Sequence, residues 1–348
     1  MKNYDSVKRI LVTGGAGMIG STLVEKLLRR GACVTVADNL WRGKVEHLTE
    51  NGRPLIDMDN NFLKVDLTDY DNCLRAAENQ EIVYHLADVV AGIDYVFGNQ
   101  LSLFHANVVM NSNMLRAAIA SGVREYVYVG TACSYPFEKQ NHIGTKPMKE
   151  DDAYPANPES SYGWSKLMGE YECELAQKEG LLNVGILRLH NVYGPKCDMS
   201  PKTSQVIPAL IRKALCYPRD RFIVWGSGQQ RRAFVYIDDV VKALIAILEL
   251  GMNQGVIQIG PDRSTPIKEV AEMIVRISGK DILIEYDDAR NEGDRDRSAD
   301  WSKAKRVLGW TPRTEMMAGF EKTYQWCLNC FRDSESDPAE ARTKSLSE

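Results

Sequence analysis

The 348-residue sequence has no run of about 20 apolar residues, so no membrane-crossing helix is expected. Its first residues, Met-Lys-Asn-Tyr-Asp-Ser-Val-Lys-Arg, lack the apolar core of a secretion signal. Histidine is scarce, at five residues, and the eight cysteines are scattered. Among them only Cys327 and Cys330 form a Cys-x-x-Cys. No second pair or histidine cluster completes the roughly four ligands of a structural zinc site. The spacing of Cys33, Cys73, Cys133, Cys173, Cys197 and Cys216 also gives no secreted disulfide framework. The expected setting is a reducing cytoplasm, and no metal site is expected. A basic surplus is missing too. Forty-three Lys and Arg against 47 Asp and Glu give a net charge of −4, which argues against a general nucleic-acid binder. No internal repeat is visible.

What is present is an alternation. The composition, 44% hydrophobic and 26% charged, suits a globular chain large enough to bury a core without disulfides. Short apolar runs over 9–13, 33–37, 62–65, 82–86, 125–129 and 184–189 read as buried strands. Segments 21–30, 106–121 and 162–178 have helical spacing. Such alternation predicts an α/β fold of Rossmann type, a doubly wound parallel sheet with helices on both faces. The rhythm breaks after Tyr193. Residues 194–233 and 255–332 read as a smaller C-terminal α/β lobe over the carboxyl end of the sheet. Residues 1–193, with about 234–254, form the main domain. A helix is expected over 235–250, with Asp238 and Asp239 at its start, where acidic groups suit the dipole. The polar stretch 333–348 reads as a disordered tail.

The string Thr13-Gly-Gly-Ala-Gly-Met-Ile-Gly20 follows the first strand and opens a helix. Gly14 suits a tight turn, Gly17 a close approach to a pyrophosphate, and Gly20 close helix–strand packing. The helix start, with Met18 and Ile19, offers N–H groups to phosphate. Asp38 ends the second strand, where a carboxylate accepts from ribose hydroxyls and repels a 2′-phosphate. NAD is therefore favoured over NADP, although Arg42 lies nearby. Asn39, Leu67, Leu86 and Ala87 are further expected cofactor contacts. Asp66 either faces the adenine or serves as a turn residue.

Tyr162 and Lys166 stand four apart, on one face of an expected helix. A neighbouring ammonium favours tyrosinate, and the phenol can then act as a base. Upstream, Thr131 ends a strand and places a hydroxyl near the same point. Glycine fingerprint, strand-end hydroxyl and Tyr-x-x-x-Lys, in that order, resemble the extended short-chain dehydrogenase/reductases over roughly 9–312. His85-Leu-Ala87, Asn191-Val-Tyr-Gly-Pro195, Arg232-Ala-Phe-Val-Tyr-Ile-Asp238 and Leu308-Gly-Trp310 match its nucleotide-sugar epimerase/dehydratase branch.

The resemblance implies an NAD-binding main domain and a nucleotide-sugar-binding lobe. It gives Tyr162 the base role at a sugar hydroxyl, Lys166 the nicotinamide ribose, and Thr131 a hydrogen bond to the reacting oxygen. Ala132-Cys133-Ser-Tyr-Pro136 is similar to the GDP-mannose 3,5-epimerase and GDP-fucose synthase families. There the cysteine is one of two acid/base groups beside a 4-keto sugar. A buried core cysteine is the alternative for Cys133. The partner lysine or histidine of those families is absent, since Gln205 and Val206 fill its place. Lys196, Lys202 and His190 are other candidates, and His190 also reads as a structural core residue.

The resemblance further implies that Asn191, Gln205, Val206 and Arg232 contact the nucleotide sugar. It adds Arg295 or Arg297, with Arg295 slightly favoured. Trp225-Gly-Ser-Gly228 either shapes the base pocket or makes a hairpin turn. The expected function is an NAD-dependent epimerase acting through transient oxidation at C4, possibly on a GDP-hexose. A 4-dehydrogenase or 4-keto reductase with net cofactor turnover is the alternative. A dehydratase lacks its Asp-Glu pair here, and a non-catalytic NAD(H) sensor is remote. A homodimer through the helices over 106–121 and 162–178 is expected, with neither nucleic acid nor membrane as partner.

Overall fold

The computed structural model describes residues 8–290 and 292–336. Seven parallel strands form the central sheet. Their order is Val256–Ile259, Asn183–Leu189, Glu125–Thr131, Ile82–His85, Arg9–Thr13, Cys33–Asp38 and Phe62–Lys64. Both faces of the sheet are covered, which is why its strands are apolar nearly throughout. Side chains alternate between two cores. Ile10, Val12, Val36 and Tyr84 enter one of them. Leu11, Ala37, Val83, Tyr126 and Tyr128 enter the other.

Helices Met18–Leu28 and Ile237–Ala246 pack together on the first side. Helices Tyr70–Ala77, Gln100–Ala120 and Ser161–Lys178 pack on the second. The strand order reverses between Arg9–Thr13 and Ile82–His85. A crevice therefore opens there, at the carboxyl ends of the strands.

Several expected boundaries shift. Residues 234–236 form a strand, Phe234–Tyr236, paired in parallel with Asn191–Tyr193. All three are buried apolar residues with an open strand edge beside them. The expected helix over 235–250 therefore starts only at Ile237. The sheet's seventh strand, Val256–Ile259, comes from residues that the sequence reading assigned to the smaller lobe. Val256 to Ile259 is buried on both faces, and four residues give too short a run to reveal a strand by periodicity.

The remaining C-terminal residues include helix Val206–Cys216 and the parallel pair Phe222–Trp225 with Ile284–Asp287. The last helix, Met316–Ser336, runs through 333–336, which the sequence reading placed in a tail. Residues 337–348 of that tail lie outside the described residues. Among the described residues, no helix is long and apolar enough to cross a membrane.

Candidate active site

A cavity of about 580 Å³ opens at the crevice. The glycine turn lies at one end. Gly14 has φ +65°, and a Cβ there would meet Ala87 Cα at 2.9 Å. The turn therefore needs glycine for both its backbone sign and its contact with the next strand. A Cβ on Gly20 would lie 2.2 Å from the Gly14 carbonyl oxygen, so that glycine lets the helix sit on the turn. A Cβ on Gly17 would meet Gly14 O at 3.3 Å, a far smaller intrusion. Helix Met18–Leu28 begins without a side-chain cap. Its first N–H groups are therefore available to a phosphate.

The Asp38 carboxylate accepts from Ala16 N at 3.0 Å and Leu40 N at 2.8 Å. Burial raises its pKa, against those two hydrogen bonds. Gly14, Gly17, Met18, Ile19, Gly20, Asp38, Asn39, Asp66, Leu67, Leu86 and Ala87 all line the cavity. Asp66 also makes a turn, accepting from Thr68 N and Thr68 Oγ1. Arg42 also lines the cavity, where it donates to Asp198 Oδ2 at 3.2 Å and to the Val90 carbonyl. A turn only glycine can make, an uncapped helix start and a strand-end carboxylate fit a dinucleotide such as NAD.

A buried network sits behind the turn. Thr13 Oγ1 accepts from Leu86 N and Ala87 N, each at 3.1 Å. Its own proton then points to His85 Nδ1, 2.8 Å away. That leaves the His85 proton on Nε2, facing Asn111 Oδ1 at 3.0 Å. Burial and nearby Lys166 lower the His85 pKa to about 3, so the ring is neutral.

Thr131 ends its strand, and its hydroxyl accepts from Cys133 N at 3.2 Å. Ser160 caps helix Ser161–Lys178 through Gly163 N. Two residues on, the Tyr162 hydroxyl donates to Asp88 Oδ2 at 3.0 Å. Lys166 Nζ lies 3.6 Å from the same oxygen. Lys166 is 1% exposed, its Nζ has no hydrogen-bond partner among the described residues, and it does not line the cavity as Tyr162 does. The phenol is not held towards neutrality in this arrangement. Burial, then the Asp88 charge, push its pKa well above the ordinary tyrosine range. Burial lowers the Lys166 pKa, and Asp88 opposes that. Asp88, unnoticed in the sequence, adds to burial in producing the difference. Its only sequence signal was a carboxylate directly after His85-Leu-Ala87.

Thr131 and Cys133 line the same cavity, as do Asn191, Gln205, Val206, Arg232 and Arg297. Arg297 is 4% exposed. Its Nη1 donates to Cys133 Sγ at 3.6 Å, Gln140 Oε1 at 3.2 Å and Asp294 Oδ2 at 2.8 Å. Its Nη2 reaches Asn191 Oδ1 at 3.5 Å. Arg232 donates to the carbonyls of Asp294, at 2.5 Å, and Glu292, at 3.0 Å.

Arg295 stands apart. Its guanidinium pairs with Glu292, and the residue does not line the cavity. The local Glu292–Arg295 spacing and an exposed side chain draw it outward. Gln205 precedes helix Val206–Cys216 without a side-chain cap bond, and Val206 begins it. Neither carries a transferable proton. Trp225 lines the cavity, while Gly226 and Gly228 both have positive φ, so this segment serves as turn and as wall.

Glu159 was also missed in the sequence. It lines the cavity three residues before Tyr162. Burial and the neighbouring Asp294 carboxyl push its pKa up to about 7. His190 is buried, with Nε2 at 3.2 Å from Gln258 Oε1. Burial lowers its pKa to about 3. The eight cysteines form no disulfide, although Cys197 Sγ and Cys327 Sγ approach to 3.7 Å.

Comparison with known proteins agrees with this geometry. GDP-mannose 3,5-epimerase of Arabidopsis thaliana is 33% identical over 318 residues, 91% of this chain and 81% of that protein. UDP-N-acetyl-alpha-D-glucosaminuronate decarboxylase of Bacillus cytotoxicus is 32% identical, over 95% of this chain and 99% of that one. The crystal structure of UDP-glucose 4-epimerase from Thermotoga maritima, with UDP-glucose, superposes with a TM-score of 0.81 at 30% identity. It covers 94% of this chain and 100% of the other. Residues 10–260 match the model of the NAD dependent epimerase/dehydratase family. The chain belongs to that family.

Proposed function

We propose that this protein is an NAD-dependent nucleotide-sugar epimerase that works through transient oxidation at sugar C4, with a GDP-hexose as substrate. One observation carries the reading: Tyr162, Thr131 and Cys133 open onto a single cavity that also holds the glycine turn and Arg232. NAD, when bound at the glycine turn, takes up and returns the carbon-bound hydride. Tyr162 removes the hydroxyl proton at the same carbon. Thr131 holds the reacting oxygen, and buried Lys166 keeps a positive charge behind the phenol. Arg232 faces the diphosphate with a planar fork suited to paired oxygens. Once C4 is a carbonyl, the hydrogens on its neighbouring carbons become acidic, and Cys133 lies where it can exchange one of them. The motif around Cys133 and the Arabidopsis relative's name support GDP as the nucleotide. The engagement of Arg42 by Asp198 supports NAD over NADP.

The test is incubation with a panel of nucleotide sugars, GDP-mannose included, in D2O. Deuterium at C3 or C5 without accumulation of reduced nicotinamide supports the epimerase. Stoichiometric reduced cofactor supports the second reading, a 4-dehydrogenase or 4-keto reductase. That reading is favoured by one feature, the non-ionisable Gln205 and Val206.

We also propose a homodimer. Trp164, Met168, Tyr171 and Leu175 form an exposed apolar stripe on helix Ser161–Lys178. Their spacing keeps them on one face, and that helix packs beside Gln100–Ala120. A second copy related by a two-fold axis would cover the stripe with its own. Met168→Glu should yield monomers in sedimentation, and an unchanged mass would sink the dimer. A reducing, cytoplasmic location is proposed from the cysteines, none of which is paired in a disulfide.

A further inference from the structure

Cys133 by itself can remove a proton and return it, but inversion of a carbon needs a second carrier. Gln205 and Val206 supply none. The other candidates also border the cavity, but each is engaged elsewhere or open to solvent. His190 is buried, with Nε2 at Gln258. Lys196 Nζ donates to the His47 carbonyl at 2.9 Å. Lys202 is solvent-exposed.

Glu159 differs from these in its partner, the Asp294 carboxyl. It lines the cavity with Cys133, Thr131 and Tyr162. Its carboxyl is hydrogen-bonded to that of Asp294. Two carboxyl groups can bond each other only if one keeps a proton. Asp294 is 5% exposed, and its Oδ2 is taken by Arg297 Nη1 at 2.8 Å. That contact leaves the shared proton to Glu159, whose pKa burial and the Asp294 carboxyl raise. Asp294 Oδ1 has no other hydrogen-bond partner among the described residues, which leaves it free to accept the proton held by Glu159. The same Arg297 Nη1 donates to Cys133 Sγ. One guanidinium and one carboxylate thus join the thiol to the protonated acid.

We propose that Glu159, paired with Asp294, is the second proton-transfer group of this cavity and works with Cys133 to invert a ring carbon beside the oxidised C4. The proposal rests on the epimerase reading above. The Cys133 thiolate takes the carbon-bound proton and becomes a thiol. The C–H electron pair enters an enediolate, whose charge rests on the C4 oxygen. Glu159 then gives its proton to the same carbon from the other side. The enediolate pair forms the new C–H bond, and Glu159 is left as a carboxylate. Arg232 and Arg297 face the two carboxylates that result. Water returns a proton to Glu159 and takes one from Cys133.

The test uses the intact holoenzyme with GDP-mannose and UDP-glucose as probes in D2O. Glu159→Gln should invert at least about a hundred-fold more slowly. It should still reduce bound cofactor on sugar addition, and it should still place deuterium on the carbon with retained configuration, since Cys133 remains. Cys133→Ser should lose that exchange. Inversion by Glu159→Gln at the wild-type rate would overturn the proposal. So would loss of sugar binding or of cofactor reduction in that variant, since Glu159 would then be a binding or structural residue. A second readout needs no substrate. The infrared spectrum near pH 6 should show a protonated-carboxyl band that Glu159→Gln lacks, and its absence from the wild type overturns the proposal. Failure of the parent reading has another signature: the wild type exchanges no carbon-bound hydrogen with either sugar.

Discussion

The Tyr162 hydroxyl donates to Asp88 Oδ2 at 3.0 Å, across 74 residues of sequence. The same oxygen is the ionic partner of Lys166. The proposed base is therefore restrained by a carboxylate and lies near an ammonium. Burial and Asp88 both raise the Tyr162 pKa. Asp88→Asn removes the charge and should lower that pKa. The pH at which nicotinamide reduction reaches half its plateau should then fall. An unchanged or higher midpoint would show that Asp88 does not act on Tyr162. Tyr162→Phe should slow the same step by about 10²–10⁴-fold while leaving nucleotide-sugar binding in place.

The three glycines of the fingerprint separate by what each would collide with. Gly20→Ala drives a methyl into the Gly14 carbonyl and should cost the fold about 1–3 kcal/mol or more, the scale of overpacking. Gly17→Ala needs only a small local shift. That variant should melt near the wild-type temperature yet lose most of its affinity for NAD. Calorimetry of binding beside thermal melting distinguishes the two, and equal melting losses would refute the assignment.

Helix Ser161–Lys178 is tied to the sheet by Glu170 and Arg188, both 2% exposed. Arg188 Nε and Nη2 reach the two Glu170 oxygens at 3.1 and 2.5 Å. Glu170→Ala leaves a buried guanidinium without its carboxylate. The expected loss is about 3–5 kcal/mol in denaturant unfolding. A loss below about 1 kcal/mol, the range of exposed ion pairs, would mean that water reaches the pair.

His85 and His190 are buried as neutral rings, each with a pKa lowered from 6.5 to about 3, mainly by burial. A depressed value means the folded state binds fewer protons than the unfolded chain. The stability involved is full above about pH 6.5 and is lost as pH falls towards about 3. Glu159 acts in the opposite sense, since its raised value favours the folded state below pH 4.5 and that share is lost as pH rises through about 7. Urea midpoints should therefore fall on acidification below about pH 6.5, and His190→Gln should flatten that slope. An unchanged slope in this variant would show that His190 does not titrate on unfolding.

Much of this arrangement was readable beforehand. The strand Arg9–Thr13 and the glycine turn announce themselves because a buried parallel strand is a continuous apolar run and a dinucleotide turn has fixed spacing. Tyr162 and Lys166 were visible as a helical pair, but Lys166 proved to be walled off behind Asp88. Arg295 is slightly favoured over Arg297 from the sequence, yet it is Arg297 that lines the cavity, since two alternating arginines in an irregular segment carry no sign of which one turns inward. Val235 and Tyr236 read as the start of a helix but belong to strand Phe234–Tyr236, because three residues show no period and their partner Asn191–Tyr193 is distant in sequence.

Local pattern therefore settled the parallel sheet, the phosphate turn and the Tyr-x-x-x-Lys pair, all of which depend on neighbours a few residues apart. The charge environment of those groups did not follow from pattern. Asp88 meets Tyr162, and Asp294 meets Glu159, only after the chain has closed the crevice. A pKa depends on burial and on charges a few ångströms away in space. No spacing along the chain encodes that distance.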